Sequence, residues 1–367
     1  MTKIAFVINS IHLGGPSYVV RSILANLDPA QFEAYVFTLF RKENTPEVVE
    51  ELRQKGARVI ENDYPGRLEV LAKKQAEFDR FLEQHGIEVI HSHGFIPDIL
   101  SARCSAKNVR RLSTIHNNPF LDYPEVYGGL KGMVFTRVHL HFLKRLDRCA
   151  CCSRYVYDSL RNQLPNLTVV RNGIGRTHAK QLVKRSDLGV PEDAVLFVYV
   201  GQLRQRKNVI WLLEQFRKCH KQNEYLLVVG DGRDRERCEE IADSHIRCLG
   251  FSADPYAYMQ RADIFVSAAL AEGFSISVLE ALDNGLAVLL SDIPAHLEVF
   301  EAAKGDYIGE AFESGNGEDF ERKLDALRGE LWRVDKTAIQ KVKDREMSAV
   351  KMTREYEALY IETDKGD

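Results

Sequence analysis

The chain has 367 residues, of which 45% are hydrophobic and 28% charged, with 24 Gly and 11 Pro. This length exceeds what one hydrophobic core usually organises, so two domains are expected, and the composition excludes a disordered or fibrous chain. The net charge of −3 hides an asymmetry, because residues 1–171 carry 23 Lys and Arg against 18 Asp and Glu, whereas the remainder carries 27 against 35. Acidic residues interleave with the basic ones without an aromatic–basic stripe, which argues against a nucleic-acid partner.

The apolar runs are too short for a membrane-spanning helix or a secretion signal. The longest, at residues 194–200, falls far below the roughly 20 residues that a bilayer requires, and the apolar stretch after Lys3 is too short for a signal peptide. We therefore expect a cytoplasmic protein. Cys149, Cys151 and Cys152 form a tight group and the other cysteines stand apart without a CxxC pair. We expect reduced structural thiols and no metal site.

The first part of the chain alternates between strand and helix patterns. The apolar run that ends at Ile8 is typical of a strand buried on both faces, and Gly14-Gly15-Pro16-Ser17 separates it from a helical pattern. Strands are predicted next at 34–39, 57–60, 89–91 and 111–115, and helices at 46–55, 68–85 and 97–106. Such alternation builds a parallel sheet covered by helices.

A second series of the same kind starts near residue 194. Its predicted strands are 194–200, 225–229, 246–249, 264–268 and 287–291, and its predicted helices are 208–219, 233–243 and 275–284. The turn-forming Asn-Gly pair in Val170-Arg-Asn-Gly-Ile174 marks the boundary. We predict domains at 1–171 and 172–343, and a last amphipathic helix at about 344–360 that is able to pack back on the first domain.

The segment Glu272-Gly-Phe-Ser-Ile-Ser-Val-Leu-Glu280 carries the strongest chemical signal. A strand feeds a glycine loop, and Ser275 stands where a helix N-cap is expected. The helix start then presents backbone N–H groups and a positive dipole end, which bind phosphate. Glu280 lies among apolar residues and needs a polar partner, so a role in ligand binding is favoured over that of an ordinary helix former.

This segment resembles the E-x7-E signature of the retaining GT-B glycosyltransferases of family 4, also called group 1, and the resemblance covers nearly the whole chain. It implies an α/β fold of two Rossmann-like domains whose parallel sheets face each other across a cleft, with the acceptor on the N-terminal domain and the nucleotide-sugar on the C-terminal one. It also implies that Glu272 contacts the donor sugar and Glu280 the ribose hydroxyls. The backbone at Phe274, Ser275 and Ile276 would hold the sugar and the diphosphate.

Three further segments resemble the same family. In Val200-Gly-Gln-Leu-Arg-Gln-Arg-Lys-Asn208, Lys207 matches the cation that neutralises the pyrophosphate. The position usually held by Arg is Gln202, so either Arg204 supplies the missing charge or Gln202 gives a neutral hydrogen bond. Gly15 matches a loop that approaches the donor diphosphate, and His116 matches a histidine near the sugar.

Other family-like segments carry weaker signals. His91 and His93, in Val89-Ile-His-Ser-His-Gly94, are predicted to be structural, although their spacing mimics a metal site. Gly230-Asp-Gly232 and Leu249-Gly-Phe251 resemble the loops around the nucleobase, where contacts run through the backbone. These loops therefore do not identify the base.

The expected activity is transfer of a sugar, with retention, from a nucleotide-sugar donor to a glycan or lipid-linked acceptor in cell-surface polysaccharide biosynthesis. A UDP-sugar is the first candidate donor, and GDP-mannose is an alternative. No Asp-x-Asp motif is present, so we expect no metal or other cofactor. The competing interpretations are a sugar-nucleotide epimerase of GT-B fold and a catalytically weak sugar-nucleotide-binding homologue.

Residues 128–146 are basic and partly amphipathic, with Lys131, Arg137, Lys144 and Arg145 among apolar side chains. Such a segment can lie on an anionic membrane surface, which predicts peripheral contact with the inner face of the cell membrane. A helix packed on the core with a solvated basic side explains the same pattern.

Overall fold

The computed structural model describes residues 1–176, 179, 181 and 183–362. The chain divides into two compact units. Unit 1 comprises residues 1–173 together with the segment that begins at Ala349, and unit 2 runs from Ile174 to Ser348. Each unit is built on one parallel β-sheet, as the alternation of strand and helix patterns predicts.

Unit 1 alternates strands and helices up to its seventh strand. The strands are β1 (Thr2–Ile8), β2 (Phe32–Thr38), β3 (Arg58–Glu61), β4 (Val89–His93), β5 (Arg110–Ile115), β6 (Arg148–Cys151) and β7 (Leu167–Val169). The helices are α1 (Gly15–Asn26), α2 (Pro46–Gln54), α3 (Arg67–Lys73), α4 (Gln75–His85), α5 (Phe95–Ala102), α6 (Pro119–Tyr127), α7 (Gly129–Leu143) and α8 (Arg154–Leu160).

Unit 2 repeats the pattern. Its strands are β8 (Val195–Val200), β9 (Glu224–Val229), β10 (Ile246–Gly250), β11 (Ile264–Ser267), β12 (Ala287–Ser291) and β13 (Gly309–Phe312). Its helices are α9 (Val209–Cys219), α10 (Arg235–Ile241), α11 (Tyr256–Met259), α12 (Ile276–Asp283), α13 (Pro294–Ala303), α14 (Gly317–Glu330) and α15 (Lys336–Glu346).

The strand order places one switch point in each sheet. The order is β3-β2-β1-β4-β5-β6-β7 in unit 1 and β10-β9-β8-β11-β12-β13 in unit 2. In unit 1, successive strands are added on one side of β1 up to β3, and β4 then pairs with the other side of β1. In unit 2, β9 and β10 are added on one side of β8, and β11 pairs with its other side. A crevice opens outside the carboxyl ends of the strands at such a reversal, and ligands bind there. The functional residues are therefore expected just after β1, β4, β8 and β11.

The last helix, α16 (Ala349–Ile361), returns to unit 1. Tyr360 packs its ring edge-on to Phe6 and donates or accepts a 2.8 Å hydrogen bond with His91 Nδ1. Glu357 accepts a 2.8 Å bond from the backbone N–H of Asp28. Buried tyrosines from the end of the chain thus complete the packing on one face of the first sheet.

Two long helices were each predicted as continuous, and both predictions are wrong, because the structure breaks each of them into two helices. The helix predicted at 68–85 is split at Lys74, where φ is −100° and ψ is 2°, and the bend lets Val70 of α3 and Phe78 of α4 enter the same core cluster. The helix predicted at 344–360 is split at Met347 and Ser348, where Ser348 forms a parallel bridge with Ile174. Both breaks satisfy tertiary packing, which helical periodicity does not register.

Candidate active site

Two charged side chains from different loops meet at the switch point of unit 2. Lys207 follows β8 and Glu272 follows β11, and these strands are neighbours in the sheet. Lys207 Nζ donates a hydrogen bond to Glu272 Oε1. The two loops are also joined by a 2.8 Å bond from the backbone N–H of Leu270 to the carbonyl of Arg206. The ion pair therefore bridges the reversal where this sheet is expected to bind a ligand.

Glu272 is a buried carboxylate whose charge is compensated. Its exposed fraction is 8%. Burial acts to raise the pKa of Glu272, but the charge and hydrogen bond of Lys207, helped by Arg206 and His296, hold that pKa below its usual value. Glu272 is therefore ionised at neutral pH. The ammonium of Lys207 has three donors, so two are available to a ligand beside the carboxylate.

Helix α12 begins at Ile276, shortly after Glu272 in the chain. Ile276 is its first residue and Ser275 its N-cap, as predicted, but the Ser275 side chain makes no capping bond to the backbone. The Ser275 Oγ instead lies 3.1 Å from Ser277 Oγ. A helix start that is not capped by its own side chain keeps its first N–H groups and its positive dipole end for an anion. Phe274, which precedes the cap, is buried.

Glu280 lies one turn before the end of α12 and is also buried. Burial, and the nearby charge of Asp283, raise the pKa of Glu280 to about 7, while a 3.1 Å hydrogen bond donated by Tyr256 Oη acts in the opposite direction. Asp283 in turn contacts the ammonium of Lys343 at 2.7 Å. Glu280 thus differs from Glu272, because no cation among the described residues compensates its charge directly.

The loop after β8 is held by the loop after β9 at very short range. Backbone bonds run from Gly201 N to the Val229 carbonyl at 3.1 Å and from Leu203 N to the Asp231 carbonyl at 2.9 Å. A Cβ on Gly230 would stand 1.8 Å from the Gly201 oxygen. Only glycine allows this approach, so the Gly-Asp-Gly segment fixes the position of the loop that carries Lys207.

Gln202 and Arg204, the two candidates for the missing interaction with the pyrophosphate, differ in exposure and in their contacts. The side chain of Gln202 is exposed, and its carbonyl accepts a 3.0 Å bond from Tyr199 Oη. Arg204 is partly buried, and its Nε has no hydrogen-bond partner within the described part of the chain. A guanidinium with an unsatisfied buried donor is suited to an anionic ligand. Of the two alternatives for the missing charge, the geometry favours Arg204.

Sequence reasoning missed three residues at this site. Arg206 is buried and its charge acts on Glu272, and Tyr256 binds Glu280. His296, in the first turn of α13, is fully buried, and its Nδ1 contacts the Ser291 carbonyl at 3.0 Å. Burial lowers the pKa of its ring to about 4, while the charge of Glu272 acts to raise that pKa and the charge of Lys207 to lower it. Arg206 lies within the segment from Val200 to Asn208, where only Arg204 and Lys207 were singled out, whereas Tyr256 and His296 lie outside the segments that resemble the family.

In unit 1, His116 lies immediately after β5, beside the end of β4. Its Nε2 is 3.0 Å from His93 Nδ1, and the two rings stack with centroids 5.3 Å apart. Burial lowers the pKa of His116 to about 4, so the ring is neutral at pH 7. His116, a predicted site residue, therefore forms a hydrogen bond with the buried side chain of His93.

Gly14 and Gly15, in the loop after β1, differ in the space around them. Gly15 is the first residue of α1, and a Cβ added to it would meet no atom of the described residues within 4 Å. A Cβ on Gly14 would stand 2.9 Å from His12 Nε2. The close approach therefore constrains Gly14, whereas Gly15 leaves open space at the helix start. That space suits a ligand, and the role of Gly15 stays a prediction.

His91 is tied into the fold on both ring nitrogens. Nδ1 bonds Tyr360 Oη and Nε2 bonds Thr114 Oγ1, each at 2.8 Å, and Thr114 Oγ1 also contacts Tyr356 Oη. These bonds leave His91 without a nitrogen for a metal. Within the described residues, no group of three His, Cys, Asp or Glu side chains is arranged to hold a metal ion.

The family model for group 1 glycosyl transferases matches residues 181–329, and that for glycosyltransferase family 4 matches residues 13–177. The O-antigen biosynthesis glycosyltransferase WclY of Escherichia coli is 26% identical over 314 residues, covering 82% of each chain. Sucrose-phosphate synthase from Thermosynechococcus elongatus has a TM-score of 0.80 at 17% identity, covering 98% of each chain. Anabaena HepE in complex with UDP-glucose has a TM-score of 0.77 at 16% identity, covering 98% of this chain and 99% of that one. At these identities the solved structures establish the fold alone.

Proposed function

Because the chain belongs to the group 1, family 4 glycosyltransferases and has their GT-B fold, we propose that this enzyme transfers a sugar from a UDP-sugar to a glycan or lipid-linked acceptor. The reaction retains the anomeric configuration and serves the assembly of a cell-surface polysaccharide. The observation that carries the proposal is the Lys207–Glu272 ion pair at the switch point of unit 2, next to the start of α12.

Departure of the nucleotide leaves negative charge on the pyrophosphate, and three features of unit 2 are suited to stabilise it. Lys207 has donors beyond its bond to Glu272, Arg204 has an unsatisfied buried Nε, and α12 presents its N-terminal end. Fixed positive groups of this kind stabilise charge as it develops in the transition state. We therefore propose that the reaction needs no metal ion and proceeds in EDTA.

The two glutamates have different roles in the proposal. Glu272, ionised beside Lys207, accepts hydrogen bonds from hydroxyls of the donor sugar and holds the ammonium in place. Glu280, about one turn into α12 and bound by Tyr256, accepts hydrogen bonds from the ribose hydroxyls. A carboxylate accepts from two hydroxyls at once, which suits the paired hydroxyls of ribose.

The acceptor reacts on the face from which the nucleotide leaves. A double displacement needs a carboxylate nucleophile under the anomeric carbon, and Glu272 is engaged by Lys207 instead. In the proposed route the leaving phosphate takes the proton of the acceptor hydroxyl. His116 is proposed to contact the sugar.

Comparisons with relatives support the substrate class. HepE binds UDP and UDP-glucose, and WclY is named for O-antigen biosynthesis. A UDP-sugar is therefore the first donor to test, and a saccharide chain under assembly is the first acceptor. GDP-mannose is the second donor.

A binding experiment tests the donor site. Calorimetry with UDP-, GDP- and ADP-sugars in EDTA should show binding of one nucleotide class to the wild type and loss of that binding in Glu280→Ala. Glu321→Ala is the matched control, because Glu321 is an exposed carboxylate on α14 of the same unit. No binding of any nucleotide by the wild type would refute the proposed site. Binding without transfer to any acceptor would favour the catalytically weak homologue.

We also propose that unit 1 contacts an anionic membrane through a surface on α6 and α7. This α6–α7 surface is defined by exposed apolar side chains, namely Leu121, Val126, Tyr127, Leu130, Val134, Phe135 and Val138. Lys131, Arg137, Lys144 and Arg145 are exposed on or beside the same two helices. Apolar side chains flanked by cations are typical of helices that lie in a membrane interface. None of the helices in the described ranges is long and apolar enough to cross a membrane.

The fold holds this surface rigid. A Cβ on Gly132 of α7 would stand 2.3 Å from the Pro124 nitrogen of α6, so the two helices touch backbone to backbone. Below them, His139 bonds Asp98 Oδ2 at 2.8 Å and Tyr123 Oη at 2.7 Å. The apolar side chains of the surface are therefore presented by a fixed hairpin of helices.

Vesicle sedimentation tests the membrane contact. The wild type should bind vesicles that contain anionic lipid more strongly than zwitterionic vesicles, and Leu130→Glu should abolish the difference. Leu68→Glu is the matched control, because Leu68 and Leu130 are both 84% exposed and Leu68 lies on α3. Binding that does not depend on anionic lipid, or that survives in Leu130→Glu, would refute the proposal.

A further inference from the structure

His93 and His116 form a hydrogen-bonded pair at the ligand-binding edge of the sheet of unit 1. His93 ends β4 and pairs in register with Ile8 of β1, so it stands at the switch point, and His116 follows β5. The His93 Nδ1 and His116 Nε2 atoms are 3.0 Å apart, with ring planes at 29°. The distance and the near-parallel rings define one direct bond between the two imidazoles.

This bond contains a single proton. Burial lowers the pKa of both rings, that of His116 to about 4 and that of His93 well below its usual value. Both are therefore neutral at pH 7, and a neutral imidazole carries one N–H and one bare nitrogen. Either His93 donates from Nδ1, or His116 donates from Nε2.

The surroundings of His93 favour His93 as the donor. The ring is 2% exposed, and its Nε2 is buried without a hydrogen-bond partner in the described part of the chain. The ring of Phe6 stacks on His93 with centroids 6.5 Å apart, and the ring of His91 lies 4.3 Å away. His91 offers no acceptor, because Tyr360 and Thr114 occupy both of its nitrogens.

If His116 donated, the proton of His93 would lie on Nε2, where it would be a buried N–H without an acceptor. Buried unpaired N–H groups are rarer in folded proteins than under-satisfied acceptors. If His93 donates instead, its proton is used in the bond and only a bare nitrogen is left among aromatic rings. The second arrangement costs less free energy.

We propose that His93 is a positioning residue that donates from Nδ1 to His116 Nε2 and thereby fixes His116 as the tautomer protonated on Nδ1. The role of a ring nitrogen is set by the bond that the other nitrogen makes. His116 then presents an N–H donor to an oxygen of the bound sugar and has no lone pair to act as a base. This assignment rests on the proposed function, in which the leaving phosphate takes the acceptor proton.

Nitrogen NMR of ¹⁵N-histidine-labelled protein without substrate tests the tautomer directly. We expect the wild type to show His116 protonated on Nδ1, with the resonances assigned by their loss in His116→Asn. His93→Asn keeps a side-chain N–H at the place of Nδ1 and should preserve this tautomer. His93→Leu has no donor and should shift His116 toward protonation on Nε2.

Kinetics add a measurement that a purely structural role would not move. Loss of a residue that orients a metal-bound histidine typically costs about 10- to 100-fold, and we expect kcat of His93→Leu to fall by a similar factor with little change in the donor KM. His93→Asn should recover most of the loss.

A wild-type His116 protonated on Nε2, or a tautomer unchanged in His93→Leu, would overturn the proposal. Failure of the proposed function gives a different pattern. In that case NMR still shows His116 protonated on Nδ1, but His116→Ala transfers sugar at the wild-type rate. The hydrogen bond between His93 and His116 would then be correct, and the positioning role of His93 in the reaction would be wrong.

Discussion

Replacing Glu280 by Gln should stabilise the ligand-free protein above neutral pH while abolishing nucleotide binding. Glu280 is buried with no cation directly beside it in the part of the chain that the structure describes, and its pKa is raised from 4.5 to about 7. The folded chain therefore keeps a proton on Glu280 that the unfolded chain releases as the pH rises from 4.5 to 7. Stability from this group is present below that window and is lost as the pH rises through it.

The size of the effect follows from the pKa shift. Each pKa unit corresponds to about 1.4 kcal/mol, so the ionised carboxylate costs the fold roughly 3 kcal/mol above pH 7. Gln at position 280 is neutral at every pH and still accepts the hydrogen bond of Tyr256. The free energy of unfolding of Glu280→Gln should therefore exceed that of the wild type by about 3 kcal/mol at pH 8 and by little at pH 5.

Calorimetric melting of both proteins at pH 5, 6, 7 and 8 without nucleotide measures this difference. For a unit of this size, about 3 kcal/mol corresponds to a rise in Tm of roughly 6–12 °C. Glu272→Gln is the matched control and should be destabilised at pH 8, because Lys207 lowers the pKa of Glu272 and would lose its partner. Parallel pH profiles for wild type and Glu280→Gln would refute the reasoning.

Three further substitutions test neighbouring contacts. Tyr256→Phe removes the bond that favours ionised Glu280, so the pH dependence of nucleotide binding measured by calorimetry should shift to higher pH; an unshifted profile would contradict this. Lys343→Met deprives buried Asp283 of its ammonium and should cost about 3–5 kcal/mol in urea unfolding, which a second change of Asp283 to Leu should largely restore. Gly230→Ala places a Cβ 1.8 Å from the carbonyl oxygen of Gly201, which displaces the loop that carries Lys207. Nucleotide binding, measured by calorimetry, should therefore be lost even where the protein still folds. Wild-type affinity would show that this loop adapts to the added methyl group.

The alternation of elements was predictable because strands buried on both faces are continuous apolar runs with glycine turns after them. Strand β6 (Arg148–Cys151) escaped prediction, since its buried cysteines suggested a group of thiols instead of a strand. Cysteine in a core behaves as a small apolar side chain. The breaks at Lys74 and Met347 escaped because both depend on where distant core residues lie.

The sequence motifs singled out candidate site residues segment by segment, and the roles of those residues stay predictions. Lys207 and Glu272 were each identified from the local sequence, and the sheet order brings them together. Tyr256 escaped because its contact with Glu280 spans 24 residues and its own segment carries no signal. The pair of His93 and His116 shows the same limit, since each belongs to a different strand end and only the register of the strands makes them partners.

The return of α16 to unit 1 bears on the order in which the chain folds during synthesis. Unit 2 begins at Ile174 and ends at Ser348, and these two residues pair with each other, so unit 2 is a continuous insertion whose ends are adjacent. Tyr360 packs on Phe6 and His91 of unit 1, and this contact forms only after unit 2 has been synthesised. The half of the enzyme that is translated first is therefore completed last, and unit 2 has the opportunity to fold before it.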